Sequence, residues 1–396
     1  MREPDRRPDR HVNSGRSARK PWIVLAVAGF VMTSCSGAAE EQDLPDAAQD
    51  DDSVAVEEEP AADQEDDTDS EGTLAAVRER GELICGINDA VPGFGSIDED
   101  GAPVGFDVDF CKVIAAAVLG DAEAVSYVPV AVADRFTVLQ SGEIDVLSRN
   151  TTRTAAREGT EGGAFVTTTY YDGQGMMVRT DDGFSSIDDM EDTIVCVLEG
   201  TTTELNLATR FAGVNYEPLT FSNSDDLQDA FIADACDGWT SDLSQLASRR
   251  ALFPDDAGGP DSLVIFDEVF SKEPLGPVVR HGDPEWLRTV DWAVIATIQA
   301  EEFGVSSGNV GDFDDSDDLD IRRFLGLPGA DEEDPDVIFD PGLGLDTDMN
   351  RNIIEQVGNY GEIFDRHLGP DTVLGLERGV NELWTNGGLL YAPPYR

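Results

Sequence analysis

Between Ser148 and Gly159 the chain reads SRNTTRTAAREG: three arginines, an asparagine and four hydroxyl side chains in twelve residues. This gathers scarce positive charge in a sequence whose formal net charge is -54. Such a run is either a solvated turn or a place that holds an anion, and composition alone leaves both open. A second stretch, EGTTTE (Glu199 to Glu204), follows the apolar run TIVCVL. Its Thr201 and Glu204 stand at capping-box spacing, an ordinary helix start. A helix start after a glycine also turns free N–H groups and a positive dipole end toward an anion, so the two readings agree. No lysine follows that glycine, which excludes a P-loop. The acidic run GDFDDSDDLD invites a calcium reading, but a loop beginning at Asp312 would need Gly sixth and Glu twelfth, where Asp317 and Arg323 stand. It reads as a solvated connector. The three histidines (His11, His281, His367) are far apart and no CxxC occurs, so no zinc site and no other metal site is expected.

These residues need elements to hold them. From Thr73 the pattern is globular: a buried strand ELICGIN, the Gly/Pro-rich loop or hairpin after it, then Val108, Cys111, Ala115 and Val118 at helical spacing up to Gly120. SYVPV and IDVLS read as strands flanking a helical DRFTVLQSG. A second set repeats the alternation: TIVCVLEG, TTTELNLATRFAG, YEPLTF, SDDLQDAFIAD and CDGWTSD. Strands alternating with helices predict two α/β lobes built on parallel sheets. Ligands of such sheets sit where strands end in loops, the places occupied by PGFG, SRNTTRTAAR and EGTTTE. Helical patterns return after Asp283 in DPEWLRTVDWAVIATIQAEEFG, NIIEQVGNYGEIFDRHLG and LERGVNELWTNGG, predicting a helical C-terminal extension.

The N-terminal segment speaks of place. A basic stretch ending at Lys20 runs into PWIVLAVAGFVMTSC, whose apolar core is too short to cross a hydrocarbon layer of roughly 30 Å, so residues 1–35 read as a signal peptide. The Cys35 context resembles a lipobox, which would make Cys35 the lipidated N-terminus; the other reading is a secreted protein with an ordinary cleavage site. Residues 36–72 hold no Lys or Arg and almost no large apolar side chain, predicting a disordered acidic linker. Cys85, Cys111, Cys196 and Cys236 then remain as an even set in an exported chain. Spacing allows three pairings. The two sets of elements favour Cys85–Cys111 and Cys196–Cys236, one staple per lobe.

Longer motifs bring a resemblance into view. GFDVDFCKVIAAAV, DRFTVLQSGEIDVLSRNTT, YYDGQGMMV, CVLEGTTTELNLA and SKEPLGPVVRHGDPEW resemble the extracytoplasmic amino-acid-binding proteins of ABC importers, solute-binding protein family 3. IIEQVGNYGEIFDRHLGP and LWTNGGLLYAPPYR resemble its general L-amino-acid branch, and the likeness spans Leu74 to Arg396. It implies a type II periplasmic-binding-protein fold: two α/β lobes joined by two hinge segments, with lobe 1 over 73–174, lobe 2 over 175–274, and 275–396 returning to lobe 1. It implies that Arg157, with Thr152, clamps the α-carboxylate of a free L-amino acid, a bidentate task lysine does not reproduce. Gly200, Thr201 and Thr202 would share that carboxylate, Asp242 would take the α-ammonium, and Asn150 would offer polar or backbone groups. Phe94 either borders the ligand side chain or belongs to the lobe core. Arg153 stands where relatives tend to carry an aromatic residue, so the pocket border and its preference stay open there.

The partners implied are a free L-amino acid, a permease with its ATPase, and the membrane through Cys35; the chain is expected as a monomer outside the cytoplasm, without cofactor. Nucleic acid is excluded by the charge. Two other classes compete. An enzyme on the same fold, such as a secreted cyclohexadienyl dehydratase, needs an acid or base aimed into the cleft, and no histidine lies in the three loops. A signalling receptor would need a partner protein. The acidity suggests a saline habitat or a strongly acidic exoproteome, since such charge density is screened by salt.

Overall fold

The computed structural model describes residues 72–213, 215–329 and 337–396. The expected signal peptide, lipidation at Cys35 and the linker up to residue 71 lie outside the described residues. No described helix is long and apolar enough to cross a membrane.

Two five-stranded sheets carry the body, and they share one topology. In the first the order is Val125–Pro129, Leu83–Ile87, Val146–Ser148, Val278–Arg280, Gly163–Phe165. In the second it is Tyr216–Phe221, Thr193–Leu198, Gly238–Asp242, Gln174–Arg179, Leu263–Ile265. The first three strands of each are parallel. The expectation of parallel sheets needs correction here: Val278–Arg280 and Gln174–Arg179 run antiparallel to both of their neighbours. The reason is the route of the chain. These two strands enter a lobe from the other one, so they start where the parallel strands end; Gln174, for example, pairs with Asp242 at the close of its strand. The crossings themselves, Tyr170–Asp172 and Glu273–Leu275, pair as an antiparallel ribbon with Asp172 opposite Glu273.

Local sequence explains the elements that frame the cleft. Helix Phe106–Leu119 buries nearly every side chain between the first sheet and the helices Pro284–Phe303 and Met349–Gln356, and ends where Gly120 turns left-handed at φ 70°, a conformation costly for other residues. Helix Pro284–Phe303 begins with Asp283 accepting from the Trp286 N–H at 2.9 Å, with Pro284 at its first position. Trp286 is fully buried, and its indole donates to the Asp145 carbonyl at 2.9 Å. Cys85–Cys111 joins strand Leu83–Ile87 to helix Phe106–Leu119, and Cys196–Cys236 joins strand Thr193–Leu198 to the connection just before Gly238–Asp242, with Cα separations of 6.1 and 5.8 Å.

The C-terminal region departs from the pattern in two places. NIIEQVGNYGEIFDRHLG forms two helices, Met349–Gln356 and Tyr360–His367, broken at Gly358 and restarted by a capping box of Asn359 and Glu362. LERGVNELWTNGG, expected as a helix, forms only short 3-10 turns at Gly379–Asn381 and Trp384–Asn386. Gly379 and Gly387 adopt positive φ there, which no α-helix accepts. The turn instead aims Asn381 at the hinge. Its amide accepts from the Tyr171 N–H at 2.7 Å and donates to the Tyr171 carbonyl at 3.1 Å, while Tyr360 donates to the Thr169 carbonyl at 2.7 Å. The extension therefore braces one crossing strand.

Candidate ligand-binding site

The lobes are closed on one another. Arg135 donates across the cleft to the Gly200 carbonyl at 3.2 Å, Ser248 to the Pro92 carbonyl at 2.8 Å, and Thr152 Oγ1 lies 3.4 Å from Thr202 Oγ1. Between them is a small cavity lined by residues of both lobes. Such a space, lined mostly by polar groups, suits a small polar guest.

Loop 148–157 supplies the positive wall. Asn150 takes φ 29°, a left-handed turn that asparagine tolerates better than most residues. Its N–H donates to buried Asp107 at 2.5 Å, and its side chain accepts from Asn88 at 2.9 Å. Farther on, the loop is pinned to a crossing strand: Thr152 bridges Leu275, and Arg153 N–H donates to the Pro274 carbonyl at 2.8 Å. Thr154 then caps a short helix by accepting from the Arg157 N–H, and the Arg157 guanidinium folds back onto the Thr152 carbonyl at 2.7 Å. Burial pulls the Arg157 pKa down, while the charges of Glu161, Glu273 and Asp242 pull it up.

The second lobe brings the opposite sign. Thr201 caps helix Thr202–Arg210, accepting from the Glu204 N–H, while Glu204 accepts from the Gly200 N–H at 2.8 Å. The spacing of Thr201 and Glu204 thus does make a cap, and the helix start faces the cavity through Thr201, Thr202 and Thr203.

Asp242 sits immediately before helix Leu243–Ala251, where an aspartate would ordinarily cap; its side chain makes no such bond. Asp172 of the crossing strand does this instead, accepting from the Ser244 N–H at 3.3 Å and from its hydroxyl. Asp242 is thereby freed for the cavity, where its Oδ1 is buried without a partner. Burial, then the charges of Asp172 and Glu273, push its pKa well above the usual range, against the pull of Arg157 and Arg135. Burial likewise raises Asp172 to about 6. Glu273, opposite Asp172, accepts from the Thr202 hydroxyl at 2.8 Å and from Asn206 at 2.9 Å, tying the crossing strand to the second lobe's helix. The geometry is a cation wall facing an unpaired carboxylate across a closed cleft, which can hold a zwitterion.

Residues 83–304 match the bacterial extracellular solute-binding proteins, family 3. The chain belongs to that family. It is 46% identical over 326 residues to the general L-amino acid-binding periplasmic protein of Rhizobium johnstonii, covering 82% of this chain and 93% of the relative. A glutamate/glutamine/aspartate/asparagine-binding protein of Rhodobacter capsulatus is also 46% identical, with 83% and 94% covered. Among solved structures, a periplasmic binding protein from Brucella ovis with glutathione bound superposes with a TM-score of 0.77 at 41% identity, covering 82% of this chain and 99% of that one.

In this family 3 protein, Asn150, Thr152, Arg157, Thr201, Thr202 and Asp242 all line one cavity. Phe94 does not. Its ring is fully buried in the first lobe's core, edge-on to Phe106 and Tyr170 at 5.8 and 5.2 Å, because the chain turns it inward beneath helix Phe106–Leu119. Arg153 is also outside the cavity, on the surface and paired with Glu158 at 2.8 Å. Two arginines that the motifs did not single out as ligand residues complete the wall, Arg135 and Arg149. Arg149 sits in the same run as Arg157 and Arg153, but nothing in the spacing says which of the three turns inward. Arg135 opens the helix after the second strand, a strand-to-helix loop like the other three, and that position was the available signal.

Proposed function

We propose that this protein is the substrate-binding component of an amino-acid ABC importer, capturing free L-amino acids of several kinds and presenting them to a permease driven by an ATPase. The observation that carries the reading is the buried, unpartnered Asp242 carboxylate facing the Arg157 wall in a closed interlobe cavity. An α-ammonium satisfies the first and an α-carboxylate the second, with Thr152, Thr201, Thr202 and Asn150 completing the contacts. The named amino-acid ligands of the Rhizobium and Rhodobacter relatives support the class.

The protein binds and performs no chemistry; closure of the lobes about the crossings Tyr170–Asp172 and Glu273–Leu275 is what the permease reads. Lobe 1 takes residues 73–174 and the return after 275, and lobe 2 takes 175–274. Residues 1–35 direct export, Cys35 carries the lipid anchor, and the acidic linker holds a monomeric body outside the cytoplasmic membrane.

Calorimetric titration of the purified protein with free L-amino acids in high salt tests this, after partial unfolding has removed any ligand carried through purification. One-to-one binding near micromolar, about 8 kcal/mol, is expected. A folded protein that binds none of them refutes the reading.

A further inference from the structure

A zwitterion asks for one cation and one anion, and this cavity holds more. Three guanidinium groups line it, Arg135, Arg149 and Arg157, against the single carboxylate of Asp242. Within the chain two of the three already have acceptors: Arg157 the Thr152 carbonyl, and Arg135 the Gly200 carbonyl. Arg149 has neither an ion pair nor an acceptor among the described residues, and its Nε is buried without a partner. It is 5% exposed. Asp107 and Asp89 act on it through their charges, but neither pairs with it: Asp107 Oδ2 accepts from the Asn150 N–H, and Asp89 is exposed. The neighbouring amides are satisfied: Asn88 pairs with Asn150 and with the Ala90 N–H, and Gln245 with Ser241 and Ser224. Of the cavity's lining side chains, only Asp242 and Arg149 thus carry a buried polar atom left open, one of each sign.

A buried guanidinium without a paired anion is costly, and the ligand is the natural source of one. With Arg157 committed to the α-carboxylate, we propose that Arg149 receives a second carboxylate, that of the ligand's side chain, and that the site favours acidic L-amino acids over neutral ones. This rests on the amino-acid reading above and adds the substrate class. Arg149 supplies a fork of donors that a side-chain carboxylate fills in a plane. A neutral side chain leaves that fork unpaired, so neutral amino acids bind, but less tightly.

The test is calorimetric titration of the full-length protein and its Arg149→Gln and Arg149→Lys variants with glutamate, aspartate, glutamine and alanine. Wild type is expected to bind glutamate or aspartate more tightly than alanine. Arg149→Gln should weaken the acidic ligands at least ~30-fold, the lower end for removing one partner of a buried charge pair, and alanine by no more than about twofold, the level at which uncoupled changes add. Arg149→Lys should keep part of the preference, because its charge remains. Equal wild-type affinity for alanine, glutamine and glutamate overturns the assignment without needing any variant to fold. So does an Arg149→Gln variant that weakens every ligand by one common factor, which would place Arg149 in support of Asp107. Wild type that binds no amino acid at all overturns the importer reading and this one with it, whereas binding of neutral ligands without acidic preference overturns this one alone.

Discussion

Replacing Asp242 by asparagine should make the empty protein more stable and the binding protein worse. The carboxylate is buried, its Oδ1 has no partner, and Asp172 and Glu273 stand near enough for their charges to repel it. Its pKa in the fold is therefore raised, and the sign of the consequence follows. A folded state that holds its proton more tightly than the unfolded chain loses stability as pH rises past the ordinary carboxylate range, and the loss stops growing once Asp242 itself ionises in the fold. Asparagine carries no such penalty. Each pKa unit by which the fold raises the carboxylate is worth about 1.4 kcal/mol, so relative to wild type Asp242→Asn should gain roughly that amount per unit near pH 7.5 and nothing near pH 3, where aspartate is protonated in both states. Urea unfolding of the ligand-free protein at both pH values, at one fixed high salt concentration, measures it. Binding should move the other way. Losing the acceptor of the α-ammonium costs roughly 2–5 kcal/mol, read as weaker amino-acid binding in calorimetric titration. An Asp242→Asn protein that is less stable at pH 7.5, or that binds within about threefold of wild type, refutes the reasoning, because the carboxylate would then be paired within the chain or idle.

Three further outcomes follow from the same structure. Arg157→Ala should weaken amino-acid binding by roughly 2–5 kcal/mol, and Arg157→Lys should restore little, since an ammonium lacks the planar fork; titration with unchanged affinity would remove Arg157 from the clamp. Removing Cys85–Cys111 or Cys196–Cys236 by paired alanines should cost roughly 3–4 kcal/mol each in denaturant unfolding, because the bridges close loops of 26 and 40 residues, with the longer loop the costlier. With 81 acidic against 27 basic side chains, Tm should rise with salt as repulsion is screened. A Tm independent of salt in scanning calorimetry would show that the acidity does not strain the fold.

How much of this could be read from the chain differs from residue to residue. Helix Phe106–Leu119 was legible because its apolar spacing and its Gly120 stop are both local properties. The cap at Thr201 was legible for the same reason: threonine and glutamate three apart satisfy each other's neighbourhood whatever the rest of the molecule does. The last helical pattern, LERGVNELWTNGG, misled because its periodicity competes with two glycines at positive φ and with the pull of Asn381 toward the hinge, 210 residues away from Tyr171. Phe94 could border a ligand or fill a core, and only its edge-on packing against Phe106 and Tyr170 decides for the core.

The local sequence alone determines where strands stop, where helices start, and that arginine, threonine and aspartate fall in the loops between them. These depend on propensity, capping and spacing, which act over a few residues. The signs and loneliness of the charges belong to the tertiary structure. Arg149 is buried and Arg153 exposed, four residues apart, because the chain crosses Leu275 between them. Asp242 is free to meet an ammonium because Asp172, from a strand 70 residues earlier, takes over the helix start that Asp242 would otherwise cap. What a buried charge can bind is set by which neighbours leave it unpaired, and those neighbours come from the whole length of the chain.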